Sequence, residues 1–253
     1  MNYLNKFSDF GKYSPVGVFD SGYGGLTILN SIKNQFPDYD FIYLGDNSRS
    51  PYGNLSDSDV INYSKQAIDY LFSLGCCKVI IACNTASSKK ELNTENTISI
   101  VQPTIEFISK FDKIAVLSTT STFESGVYNI PGVVVKDCPM WVSLIESGYH
   151  NTLSGKEIIK KDLKDLFRDN PDIEVILLGC THFNLLKNYI KEIYPDLKIL
   201  SQDKILSDYL KVSDINCSKS GTIKYLTTEE PKEFDQESKE FLGLQINSER
   251  IYL

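Results

Sequence analysis

Two short apolar runs, each ending at a cysteine, constrain this chain more than any other feature. Val79-Ile80-Ile81-Ala82 leads into Cys83, and Val175-Ile176-Leu177-Leu178 leads through Gly179 into Cys180. Such runs, separated by longer amphipathic stretches, read as buried parallel strands joined by crossover helices. The same alternation opens the chain. A strand at Val16-Gly17-Val18-Phe19 precedes a helix from Leu26 to Phe36 with Leu26, Leu29, Ile32 and Phe36 on one face. A second strand from Phe41 to Leu44 is followed by a long helix that starts at the capping box Ser56-Asp57-Ser58-Asp59 and closes at Gly75. Further on, Ile114-Ala115-Val116-Leu117 opens into the hydroxyl-rich loop Ser118-Thr119-Thr120-Ser121-Thr122, much as the first strand opens into Asp20-Ser21-Gly22. Ile114 follows Val16 by 98 residues and Cys180 follows Cys83 by 97. The expected fold is α/β, with two related lobes, each a mainly parallel sheet flanked by helices.

The pattern loosens between Ile98 and Phe111 around Gln102-Pro103, which reads as a first crossing between lobes; a return crossing is placed near Val212 to Ser218. Residues 15–105 plus 214–253 are thereby assigned to a first lobe and 106–213 to a second, after an N-terminal lead of 1–14. The polar tail from Ser218, with Glu229-Glu230-Pro231-Lys232-Glu233, is expected to lay a terminal helix on the first lobe.

At 253 residues with 42% hydrophobic side chains, the chain can bury a sizeable core. A net charge of −7 argues against nucleic acid or a membrane surface as partner, since both call for a basic face. No apolar run approaches the ~18 residues a membrane helix needs, and Met1 to Ser14 has no apolar core of a secretory signal. The expected setting is cytoplasmic. There the six cysteines read as reduced thiols, and two histidines with no Cys-x-x-Cys pair argue against a structural metal site.

In open parallel sheets, ligands bind beyond the carboxyl ends of the strands. Asp20-Ser21-Gly22-Tyr23-Gly24-Gly25, Cys83-Asn84-Thr85 and Cys180-Thr181-His182 all fall there and are expected to line one cleft. A thiol beside a helix N-terminus can have its pKa lowered and become a usable base. One cysteine so placed would more often be a small buried hydrophobe, but matching cysteines in two lobes point to chemistry. The glycine loop serves a carboxylate as well as a dinucleotide, and Thr27 stands where the dinucleotide fingerprint needs its third glycine.

Four segments, Gly17-Val18-Phe19-Asp20-Ser21-Gly22-Tyr23-Gly24-Gly25-Leu26, Gly45-Asp46-Asn47-Ser48-Arg49-Ser50-Pro51-Tyr52-Gly53, Ala82-Cys83-Asn84-Thr85-Ala86 and Leu178-Gly179-Cys180-Thr181-His182, together resemble the glutamate racemase family. Weaker matches are Gln102-Pro103, Ser118-Thr119, Cys138-Pro139 and Glu146-Ser147-Gly148; Ser118 stands where the family pattern has glycine. The resemblance implies a cofactor-independent isomerase that interconverts L- and D-glutamate for peptidoglycan, and hence for the cell wall and cell shape. It also implies a pseudo-twofold relation between the lobes with the active site between them, and it is compatible with a homodimer. On that resemblance Cys83 and Cys180 are the acid/base pair and Asp20 and His182 assist their respective thiols. Asp20, Ser21, Tyr52, Gly53, Asn84, Thr85, Thr181 and His182 match positions that hold the substrate.

Two thiols suit such a reaction. Inverting a carbon requires a proton to leave one face and another to arrive on the opposite face, and a thiol can enter as either acid or base near neutral pH. An aspartate racemase is the nearest alternative, but those relatives tend to read Cys-Thr-Glu where this chain has Cys180-Thr181-His182. A Cys-His hydrolase built on Cys180 and His182 would leave Cys83 idle, and i, i+2 side chains on a helix face apart. A non-enzymatic binding protein would need neither cysteine.

Overall fold

The computed structural model describes residues 14–213 and 215–253, so all of the N-terminal lead except Ser14, and the boundary drawn at 214, lie outside the described residues. The first strands and helices follow the expected alternation: β1 (Val16–Asp20), α1 (Gly25–Gln35), β2 (Phe41–Gly45), α2 (Asp57–Ser73), β3 (Lys78–Ile81), α3 (Asn84–Ser87), β4 (Thr97–Ser99) and α4 (Val101–Ile108). The Ser56 hydroxyl caps α2 by accepting from the Asp59 N–H, and Gly75 takes a left-handed φ of +88° just past the helix end. A second series continues as β5 (Ile114–Ser118), α5 (Thr120–Glu124), β6 (Val133–Asp137), α6 (Trp141–Glu146), α7 (Leu153–Asp169), β7 (Val175–Leu178), α8 (Lys187–Ile193), β8 (Lys198–Ser201) and α9 (Gln202–Leu210).

Two readings are refined. The first crossing between lobes falls where expected, between β4 of one sheet and β5 of the other, but Gln102 and Pro103 make it as part of the helix α4 and not as a loosened segment. Pro103 is the third residue of that helix, within the first turn, where a missing N–H costs nothing. The tail, in turn, is more than one helix: β9 (Ile223–Thr227), α10 (Pro231–Leu242) and β10 (Ser248–Arg250) extend the first sheet, β9 pairing with β2.

Among the described residues, one sheet runs β10-β9-β2-β1-β3-β4 and the other β6-β5-β7-β8, and every pairing is parallel. The segment β2-β1-β3-β4 and the sheet β6-β5-β7-β8 have the same order, so the repetition seen in the sequence is a repetition of topology. The strands are apolar on both faces, as parallel strands covered on both sides must be. Val16, Val18 and Ile80 of one sheet and Ile114, Val116 and Leu177 of the other join a single buried cluster, completed by Leu206 and Leu210 of α9. The alternate residues face outward into separate cores: Phe19, Val79 and Ile81 under α2, and Ala115, Ile176 and Leu178 under α7. The lobes are therefore held together by a shared apolar core as well as by chain crossings. No helix of the described residues is long and apolar enough to cross a membrane.

Candidate active site

Each cysteine leaves its strand into a turn. Cys83 has extended backbone angles and caps α3, while Cys180, also extended, caps the 3-10 turn Thr181–Leu186. Both are buried, at 5% and 7% exposure, and the charge of Cys180 acts on Cys83. The loop after β1 reaches both. The Ser21 hydroxyl lies 3.2 Å from the Cys83 sulfur, and the wholly buried Asp20 accepts from the Gly22 N–H at 3.0 Å and from the Thr181 hydroxyl at 3.3 Å. Gly24 has to be glycine for this approach, because a Cβ there would fall 2.3 Å from the Thr181 hydroxyl and 2.7 Å from the His182 backbone nitrogen.

His182 and Cys180 do meet, at 4.0 Å from Nδ1 to sulfur. The expectation that an i, i+2 pair faces apart is wrong here, since Cys180 is extended and only His182 is in the turn. The far side of the imidazole, Nε2, lies 3.0 Å from Glu146, which also accepts from Ser50 at 2.9 Å. Burial opposes charge on His182, but the hydrogen bonds and charges of Cys180 and Glu146 outweigh it, and its pKa stands well above the usual imidazole value. Burial likewise penalises the Glu146 carboxylate, and His182 with Ser50 more than offsets this, so its pKa is lowered.

The first lobe differs. Burial and the Asp20 charge push the Cys83 thiol up to about 12, against smaller opposing contributions from Ser21 and the Ala86 N–H. The expectation that a helix terminus lowers this thiol therefore fails: α3 is four residues long, and its few N–H groups do not compensate for lost solvation. Burial also raises the Asp20 pKa, despite the nearby His182 and the hydrogen bonds it accepts.

The other expected positions gather around this core with one difference. Thr85 lies 3.1 Å from Thr119, which donates to Thr122 at 3.0 Å, and a Cβ at Gly53 would fall 3.0 Å from the Cβ of Thr119. Tyr52, by contrast, commits its hydroxyl to Asp46, whose carboxylate also holds Arg49 at 2.6 Å. Asn84 has its amide turned toward Gln202 and Tyr128. Glu146 was visible in the sequence only as a weak motif, and Gln202 and Tyr128 were missed. Gln202 directly follows β8, at the carboxyl end of a strand, which is the signal that could have found it; Tyr128, between α5 and β6, carries no such signal. Among the described residues, no group of three or more His, Cys, Asp or Glu side chains is arranged to hold a metal ion.

No family model matches the chain. Over 253 residues it is 36% identical to the glutamate racemase of Persephonella marina, with 94% of this chain and 97% of that relative covered. The chain belongs to the glutamate racemase family. Solved glutamate racemases superpose along nearly the whole length. An isoform from Bacillus anthracis matches with a TM-score of 0.85 at 29% identity, covering 96% of this chain and 98% of that one. The Francisella tularensis enzyme, solved in complex with D-glutamate, gives 0.83 at 28% identity, with 95% and 98% covered. The two-lobed racemase fold expected from the sequence is thus the fold observed.

Proposed function

We propose that this chain is a cofactor-independent glutamate racemase that works by two-thiol 1,1-proton transfer and supplies D-glutamate for peptidoglycan. The observation that carries the reading is the burial of Cys83 and Cys180 within electrostatic reach of each other, each with its own proton partner. One thiolate removes the α-proton from one face of the carbon, and the opposite thiol delivers a proton to the other face. Reversal exchanges the roles.

Cys83, with its raised pKa, enters as the acid in one direction. In the other it must first lose its proton, and the Asp20 carboxylate, made more basic than usual by burial, is the group that takes it. His182, backed by Glu146, serves the same purpose for Cys180. The carbanion is far more basic than a thiolate, so its carboxylate needs hydrogen-bond donors in a dry site. The first N–H groups of the turns that begin at Tyr52 and Thr181 supply them, joined by the Thr85 and Thr181 hydroxyls once the substrate carboxylate replaces Thr119 and Asp20 as their acceptors. Tyr52 and Gly53 then contribute through backbone rather than through the phenol. Six free cysteines fit a reducing, cytoplasmic setting.

The test is direct. Purified protein given L-glutamate in deuterated water without any cofactor is expected to form D-glutamate carrying deuterium at the α-carbon. A requirement for a nicotinamide or pyridoxal cofactor, or product that keeps the original α-hydrogen, would overturn the reading.

A further inference from the structure

We infer that Gln202 is a positioning residue for the Cys83 half of the site, acting by locking Asn84 across the two lobes; this rests on the racemase reading above. Asn84 is the residue after Cys83 and the first of α3. Gln202 comes from the other sheet, at the junction of β8 and α9. Their amides face each other as a reciprocal pair: Asn84 Nδ2 donates to Gln202 Oε1 at 2.6 Å, and Gln202 Nε2 donates to Asn84 Oδ1 at 2.9 Å. The Tyr128 hydroxyl donates to the same Asn84 oxygen at 2.8 Å, and Gln202 Nε2 also lies 3.0 Å from Thr104 Oγ1 and from the Tyr128 oxygen. All four residues are at most 2% exposed.

Around them the lobes meet through the apolar cluster that includes Val101, Ile108, Ile205 and Leu206. Apolar packing is non-directional and tolerates small slides. A buried amide pair is directional, because a displaced partner leaves polar atoms without bonds in a site water cannot reach. Gln202 therefore converts the orientation of the second lobe into the position of Asn84, and through one peptide into the position of the Cys83 sulfur. It also fixes which way Asn84 faces: both donors to its oxygen and one of its two Nδ2 hydrogens are committed, leaving a single N–H for a ligand.

Gln202→Met keeps the length and removes the hydrogen bonds, and Tyr128→Phe opens the same network while leaving the amide pair intact. In Gln202→Met, kcat is expected to fall on the order of 10²-fold with a smaller change in KM, as misplacement of a reacting group by about 1 Å costs, whereas Tyr128→Phe stays within a few fold. Primary isotope effects with α-deuterated L- and D-glutamate should rise unequally in Gln202→Met, the larger rise falling on the enantiomer deprotonated by Cys83. A merely structural role lowers the active fraction and moves neither isotope effect.

A second readout does not depend on turnover. Iodoacetamide labelling, followed peptide by peptide, is expected to speed up about tenfold at Cys83 as the local structure opens, with Cys180 unchanged. Equal labelling ratios in Gln202→Met and the parent protein, or an equal loss of activity in Tyr128→Phe, would sink the proposal. If Gln202→Met does not fold, Gln202→Asn, one methylene too short to span the pair, takes its place. An inactive parent protein would count against the racemase reading alone, since the labelling ratio still judges the lock.

Discussion

In the first lobe, Cys83 lies 3.2 Å from a serine hydroxyl and feels the charge of a buried carboxyl, Asp20. In the second, Cys180 lies 4.0 Å from an imidazole whose other nitrogen is held by Glu146. The strand orders that carry the two thiols match, with each cysteine following the strand that pairs with the lobe's central strand. The lobes thus repeat a scaffold but not a proton relay. Enantiomers are mirror images and the two halves of this site are not, so the proposed two-thiol mechanism calls for the same proton transfer to be managed with different partners on each face. On the Asp20 side burial wins outright, whereas on the His182 side the hydrogen bonds and charges of Cys180, Glu146 and Ser50 together outweigh it.

The largest expected effect comes from removing either thiol. Cys83→Ala and Cys180→Ala should each reduce racemisation on the order of 10³- to 10⁴-fold, the upper range for loss of an acid/base group. The comparison sharpens if each variant is given single enantiomers in deuterated water. The remaining thiol can still exchange the α-hydrogen of the enantiomer it faces without inverting it, so the two variants should label opposite enantiomers. Full racemisation by either variant, or labelling of the same enantiomer by both, would break the assignment of one thiol to each face.

A smaller effect is expected from Glu146→Gln, which keeps a hydrogen-bond acceptor for His182 and removes the charge. Without that charge the His182 pKa falls, so the limb of the pH–rate profile that reports it should move to lower pH, with kcat reduced about 10²-fold. The stability consequence has a defined window. The raised His182 pKa contributes stability that is complete below the ordinary imidazole value and is lost as pH rises through the raised one; the lowered Glu146 pKa contributes stability present above the ordinary carboxylate value and lost as pH falls through the lowered one. Melting temperatures of the parent and Glu146→Gln should therefore differ most between these limits and converge outside them. An unmoved pH limb would mean that Glu146 only positions the ring.

The scaffold was legible in the sequence because parallel strands buried on both faces leave continuous apolar runs, and the runs ending at Cys83 and Cys180 could be read directly. So was the position of the thiols just past strand ends, where ligands meet such sheets. What stayed hidden was pairing across the lobes. Nothing local to Gln202 announces a partner more than a hundred residues away, and nothing in Tyr52 reveals that its hydroxyl is taken by Asp46. The direction of the Cys83 shift was also out of reach, because a helix-terminus argument counts N–H groups and cannot count the solvent lost around the sulfur. The tail escaped for a related reason: β9 is only partly buried, so its strand pattern is diluted by polar residues such as Lys224.

The smallest expected effect concerns stability on the Asp20 side and has the opposite sign to a usual site mutation. Burial raises the Asp20 pKa above its unfolded value, so the folded protein holds a proton that the unfolded chain has already released. Folding then loses stability as pH rises from the ordinary carboxylate range through the raised pKa, and the deficit is fully present above it. Asp20→Asn removes the ionisable group while its amide oxygen can still accept from the Gly22 N–H. It should raise the melting temperature at neutral pH by roughly 2–4 °C for each kcal/mol regained in a chain of this size, even as activity falls. The gain should shrink toward zero below the ordinary carboxylate range, where the parent Asp20 is protonated in both states. Thermal melts of both proteins across that pH range decide it, and a gain that persists undiminished in acid would show that Asp20 carries no burial penalty of its own.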